Sequence, residues 1–206
     1  MKKLLMLLLS LTIIFAFTAC GGGESNEPAG DGGDTPETST QNYMEMLQDQ
    51  HYYMEYSATV DYEGKEETIQ AKIARDGEKM SSESTVQDMT SRILTDGETM
   101  YILDDKAKTY MEMDASMNNE EILEAGDDMK LTNSGKEEVD GQNLDFEEYT
   151  GENETVKFYL DGDNLKYILS KAEDDEILMK ISKFTKDIPS GLLELPSDYV
   201  SGYPGM

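Results

Sequence analysis

The sequence predicts a mainly β, α+β fold: a strongly curved antiparallel sheet of about eleven strands wrapped around a few short covering helices. Three observations lead there. Tyr52, Met54, Tyr56, Ala58, Val60 and Tyr62 alternate with Tyr53, Glu55, Ser57, Thr59, Asp61 and Glu63, the two-residue period of a strand with one apolar and one polar face. Turn signals recur at Glu63-Gly64-Lys65, Asp76-Gly77-Glu78, Asp96-Gly97-Glu98, Asp140-Gly141-Gln142, Thr150-Gly151-Glu152 and Asp161-Gly162-Asp163. Gly in these turns accepts the positive φ that tight hairpins need. Only two short stretches carry helical signals. The apolar face of such a meander must be covered by a second sheet, by closure or by helices. With no second set of strands in the sequence, a curved sheet wrapped around short helices fits best.

The elements follow in order. Residues 1–19 read as an export signal, with Lys2 and Lys3 ahead of an apolar run broken only by Ser10 and Thr12. The run is about 14 residues, shorter than the ~20 a bilayer span needs. From Gly21 to Asn42 there is no large apolar residue, so 20–42 is expected to be a flexible acidic linker reaching about 25 Å. The folded domain is expected over 43–203. It opens with a helix over 43–50, where Tyr43, Met46 and Leu47 have helical spacing. Strands are expected over 52–62, 69–75, 79–89, 91–95, 99–104 and 108–113. A short helix over 119–126 interrupts the meander, with Asn119 as cap, Glu120 and Glu121 in its first turn and Gly126 as terminator. Strands resume over 131–139, 144–150, 156–160, 165–170 and 177–185. The chain then runs through Ile188-Pro189, a turn at Leu192 and Leu193, and Leu195-Pro196.

The composition excludes several functions. A net charge of -27 leaves no basic face for nucleic acid. One Cys allows no internal disulfide, and one His makes a Cys/His zinc site unavailable. His51 lies opposite the apolar parity of the first strand, as a solvated residue would. Asp161-Gly162-Asp163-Asn164 lacks the sixth-position Gly of a calcium loop. There is no G-x-S-x-G and no phosphate loop. No enzyme activity, cofactor or metal is expected.

Beyond residue 19, Leu, Ile, Val and Phe make up only about 16% of the chain, a proportion that with high charge usually means disorder. The same segment holds all 12 Tyr and 12 of the 14 Met, and they fall at strand-alternating positions. Tyr and Met therefore build the interior. Tyr52, Met54, Tyr56, Val60, Tyr62, Ile73, Met100, Ile102 and Met111 have two readings: an ordinary core, or the lining of a cavity in which Met adapts to varied ligands and Tyr adds a polar tip. Arg75 shares its face with Ile69 and Ile73 and must find an acceptor. It reads either as a strand-end ion pair or as a lid latch or headgroup contact.

Phe17-Thr18-Ala19-Cys20 followed by Gly21-Gly22-Gly23 resembles the lipobox of bacterial lipoproteins. The resemblance implies that Cys20 carries a diacylglyceryl group and anchors the chain to the extracytoplasmic face of the cell membrane. The stretches 69–75, 95–104, Lys108-Thr109-Tyr110, Ile181-Ser182-Lys183-Phe184, Ile188-Pro189 and Leu195-Pro196 resemble the lipoprotein-carrier superfamily, LolA/LolB-like and LppX-like, over 43–200. Asp76 stands where the carriers have Pro, and Tyr101 where they often have Trp. The resemblance implies an incomplete barrel, helices as a lid, an apolar cavity for acyl chains, and a role for Arg75 in holding the lid. The expected function is thus a membrane-anchored lipoprotein binding a lipid or other hydrophobic small molecule. The alternative is an interaction or sensor module of the same fold, without a small-molecule ligand, that meets an envelope protein partner.

Overall fold

The computed structural model describes residues 40–62, 65–115, 129–151, 154–172 and 175–202. The expected export signal, Cys20, most of the linker and the helix expected over 119–126 lie outside the described residues. The order of elements is α1 (Gln41–Gln48), β1 (His51–Tyr62), β2 (Lys65–Asp76), β3 (Lys79–Val86), β4 (Met89–Thr95), β5 (Thr99–Asp104), β6 (Thr109–Asp114), β7 (Lys130–Val139), β8 (Gln142–Thr150), β9 (Glu154–Asp161), β10 (Asn164–Ala172), β11 (Asp175–Thr185) and β12 (Val200–Ser201).

All the strands join one sheet in the order β12-β6-β5-β4-β3-β2-β1-β11-β10-β9-β8-β7. Two hairpin meanders, β1–β6 and β7–β11, meet where β1 pairs with β11, from Tyr53↔Thr185 to Ala58↔Met179. Every pairing is antiparallel except that of β12 with β6. The edges β7 and β12 do not meet, so the barrel is incomplete, as the resemblance to the lipoprotein-carrier superfamily implies.

The sheet curls around α1. One apolar cluster takes Met44, Met46 and Leu47 from α1, Tyr52 and Met54 from β1, Ile73 from β2, Met80 from β3, and Tyr149, Phe158, Ile168, Met179 and Ile181 from β8 to β11. Strands so far apart in the sheet order share one core only if the sheet is bent. α1 spans just 8 residues, too short to hold together alone, and both its ends are tied down. At its start, the amide and hydroxyl of Thr40 donate to the Glu147 carboxylate of β8, and the Thr40 hydroxyl lies 2.7 Å from the Tyr149 hydroxyl. A carboxylate at the amide end of a helix also complements its dipole. At the other end Gln50 turns left-handed, with φ +50. Its carbonyl accepts from the Gly77 amide at 2.9 Å, and its side-chain oxygen accepts from Arg75 Nη2 at 3.0 Å.

The convex face has its own cover. After β11 the chain crosses back over β1–β5, where Pro189 and Leu192 face Tyr53, Ala74 and Ser81 across a cleft of about 140 Å³. It ends by hydrogen-bonding to β6, Val200 N to Lys108 O and Gly202 N to Tyr110 O. On the other half, Val139, Leu144, Tyr159, Tyr167 and Leu169 form a smaller cluster. Lys157 lies 4.2 Å from the Phe146 ring centre, and its hydrogen bond holds the Glu137 carboxyl below its ordinary value. The edge strand β7 carries Gly135 opposite Phe146. A Cβ there would come within 3.2 Å of the ring, so the aromatic closes over a glycine that would otherwise weaken the edge.

One turn departs from expectation. The sequence signals leave 79–89 as a single strand, but β3 ends at Val86 and Gln87-Asp88 form a two-residue turn. Both are left-handed, at φ +47 and +65, in a place where Asn-Gly is the usual choice. Asp88→Gly is therefore expected to raise stability by about 0.5–1 kcal/mol, read as a higher midpoint in urea unfolding. An unchanged or lower midpoint would show that the turn holds no such strain.

Candidate functional site: a methionine-floored groove on the concave face

Registers across six strands sort the candidates into rows. Directly opposed residues share a face of the sheet. One row is Tyr52–Arg75–Met80–Thr95–Met100–Met113, and the next is Met54–Ile73–Ser82–Ile93–Ile102–Met111. A third begins Tyr56–Ala71–Ser84–Ser91, and Asp104–Thr109 pair on the same face. The described candidate ligand residues of the first six strands thus stand on the concave face, including Val60 by parity. The Tyr62 side chain lies outside the description.

That face has two halves. Under α1 it is packed: Tyr52, Met54 and Ile73 belong to the main core, and Met100 is buried. Val60 is half-buried and packs on Ile69 and Val86. Arg75 donates from Nε to the Gly77 carbonyl at 3.2 Å and from Nη2 to Gln50, so it ties the end of α1 to the β2–β3 turn. Toward β4, β5 and β6 the face opens. Met89, Met111 and Met113 are each 38% exposed. A solvent-open groove of about 980 Å³ runs over Met89, Ser91, Ile102, Asp104, Thr109 and Met111, at the upper end of the range for small-molecule sites. Of the candidates, the structure brings Ile102 and Met111 together in this groove.

Sequence reasoning missed Met89 because it missed the turn. Placed inside a strand that starts at Lys79, Met89 would stand on the opposite face from Met80 and Val86. The Gln87-Asp88 turn brings it back opposite Val86 on the concave side. Asp104 and Thr109 were missed because they are polar and end strands. Asp104 Oδ1 accepts from the amides of Lys106 and Ala107, at 3.0 and 2.9 Å, which shapes the β5–β6 turn. Asp105 beside it accepts from the Tyr199 hydroxyl and lies 3.7 Å from Arg92.

Tyr56 packs against the main core, opposite the small residue Ala71 of its row. Burial pushes its hydroxyl up to about 12. An acid whose pKa is raised on folding contributes stability that is fully present below the unfolded value of ~10 and is lost as pH climbs toward 12. The parent chain should therefore lose about 2–3 kcal/mol more than Tyr56→Phe between pH 10 and 12. Parallel losses in urea titrations of the two would refute the assignment.

Residues 51–169 match the family described as "Domain of unknown function (DUF4412)". No curated protein matches the chain significantly. Among solved structures the chain is similar to LprF from Mycobacterium bovis at 10% identity, covering 77% of this chain and 97% of that one with a TM-score of 0.39. An uncharacterized conserved protein from Thermus thermophilus matches at 9% identity, 79% and 98% coverage and a TM-score of 0.40. A LolA superfamily protein from Nitrosomonas europaea matches at 11% identity, 74% and 96% coverage and a TM-score of 0.34.

Proposed function

We propose that this chain, which belongs to the DUF4412 family of domains of unknown function, is a membrane-anchored extracytoplasmic lipoprotein that holds a lipid acyl chain or other hydrophobic ligand in the groove over β4–β6. The open methionine floor carries the reading. Side chains as apolar as Met89 and Met111, exposed along a groove beside the half-buried Ile102, mark a surface made to be covered. Methionine suits it because the flexible thioether follows the contour of an irregular chain. Each 100 Å² of apolar surface covered contributes about 2.5 kcal/mol.

Native mass spectrometry after gentle extraction, with uptake of the neutral probe N-phenyl-1-naphthylamine, tests this. Bound lipid and probe uptake are expected. A clean apo mass with no uptake overturns the reading. The second reading, an interaction module for an envelope protein, has its own support in the buried apolar cluster beneath α1. It would take over if cross-linking in cells traps one protein partner on β4–β6 while no lipid is found.

The anchor completes the proposal. Two acyl chains on Cys20 would hold the domain at a membrane face, at ~0.8 kcal/mol per buried CH₂. Cys20→Ala should move the protein from the detergent-rich to the aqueous phase in Triton X-114 partition. Retention of the variant in the detergent phase would overturn the anchor.

A further inference from the structure

We infer that the groove selects an amphiphile whose head bears a primary ammonium group, and that Asp104 is the residue that reads it. The inference rests on the proposed lipid-binding role and names the ligand class. The floor of the groove changes character along the strands. Ile102–Met111 is an apolar row of the groove; the adjoining Asp104–Thr109 pair is polar, as is Ser91 on the same face, and Met89 lies beyond them along β4. An apolar tail lying over Ile102 and Met111 brings its head to Asp104, Thr109 and Ser91.

The charge of that head follows from which carboxylates are already engaged. Glu83, Asp88, Asp104 and Asp105 all border the groove, against one ammonium, that of Lys106. Glu83 is paired with Lys72 at 2.7 Å, and Asp105 lies beside Arg92. Among the described residues no cation pairs with Asp88 or Asp104. Both turn hydrogen bonds to Asp104 go to Oδ1, which leaves Oδ2 for a ligand. Asp104 is also the carboxylate that stands on the concave face itself, in the row next to the tail site. A net charge of -27 adds a long-range field that draws in cations and repels fatty acids and phosphate-headed lipids. An ammonium head meets both the local and the global charge; a carboxylate head meets neither.

The test uses the full chain carrying Cys20→Ala, with [¹³C-methyl]methionine, titrated with three twelve-carbon amphiphiles below micelle formation: dodecylammonium, dodecanoate and neutral dodecyl maltoside. Shifts at Met89 and Met111 report the groove, and Met54 reports the packed core. Dodecylammonium should bind about tenfold tighter than the maltoside and dodecanoate about tenfold weaker, with both differences shrinking in high salt. Asp104→Asn keeps the Oδ1 acceptor of the turn. It should bring dodecylammonium to within about twofold of the maltoside and leave maltoside binding as it was. Equal binding of all three, tighter binding of dodecanoate, or an ammonium preference that survives Asp104→Asn overturns the inference while lipid binding stands. If none of the three shifts the groove methyls, the lipid-binding role falls as well. If Asp104→Asn loses maltoside binding through misfolding, the order of the three ligands on the parent chain decides, with Asp104→Glu expected to retain that order.

Discussion

Replacing Phe158 with alanine should cost about 3–5 kcal/mol of stability, the usual loss when a buried aromatic is truncated and the cavity cannot collapse. Phe158 is fully buried at the middle of β9, opposite Ile168 of β10 and edge-on to Tyr149 of β8, with ring centres 5.8 Å apart. It belongs to the same cluster as Leu47, so its ring forms part of the surface on which α1 rests. An 8-residue helix has no independent stability. It stays in place through this apolar contact and the ties at Thr40 and Gln50. The cavity left by Phe158→Ala therefore opens beneath the element that closes the concave face. A domain of this size commonly has about 5–15 kcal/mol in all, so the variant should unfold at a much lower urea midpoint with little change in slope. A loss below about 1 kcal/mol would mean that the space under α1 is loosely filled, and the ligand site would then have to be sought there.

The sequence made the strands legible because each is local. Alternation is a property of a few adjacent residues, and Asp-Gly or Thr-Gly marks most of the turns. The boundary between β3 and β4 was misplaced, at 89–91 instead of Gln87-Asp88, because those two residues supply the turn without glycine. The two-residue β12 was invisible for a different reason: only its hydrogen bonds to β6, brought near by a crossing of the convex face, make it a strand. α1 was expected from Tyr43, Met46 and Leu47, and Met46 and Leu47 are buried while Tyr43 is half-buried against the core. Its anchorage was out of reach, since Thr40 and Glu147 are 107 residues apart. The candidate site shows the same division. Parity within β1 put Tyr52, Met54 and Tyr56 on one face, but no local rule says which part of a shared face α1 will cover. That depends on the bend of the sheet and on register summed over six strands. The groove thus falls on Ile102 and Met111, with Met89 as a neighbour that only the correct turn reveals.

The paired substitution Met89→Ser/Met111→Ser should weaken binding of a neutral lipid-like ligand about a hundredfold while leaving the fold nearly as stable as before. The two residues sit on β4 and β6 and both line the groove, Met111 in the Ile93–Ile102 row and Met89 four residues along β4 from Ile93, so a chain lying along the groove touches both. Each is already 38% exposed, and a side chain in partial contact with water contributes little to folding. The same exposure is what a ligand would cover. At about 25 cal/mol per Å², burying the exposed part of each thioether is worth about 1.4 kcal/mol, or about tenfold in affinity per residue. The sites lie on different strands and in different rows of the sheet, so the effects should roughly add. Titration with dodecyl maltoside measures the loss, and urea unfolding of the same samples checks the fold. Met54→Ser is the contrasting variant: it lies in the packed half, so it should lower stability by about 2–5 kcal/mol without removing any surface from the groove. Unchanged affinity in the paired variant would show that the ligand does not lie over β4–β6. Equal losses of affinity and stability in both variants would show that binding depends on the whole core rather than on the open half of the concave face.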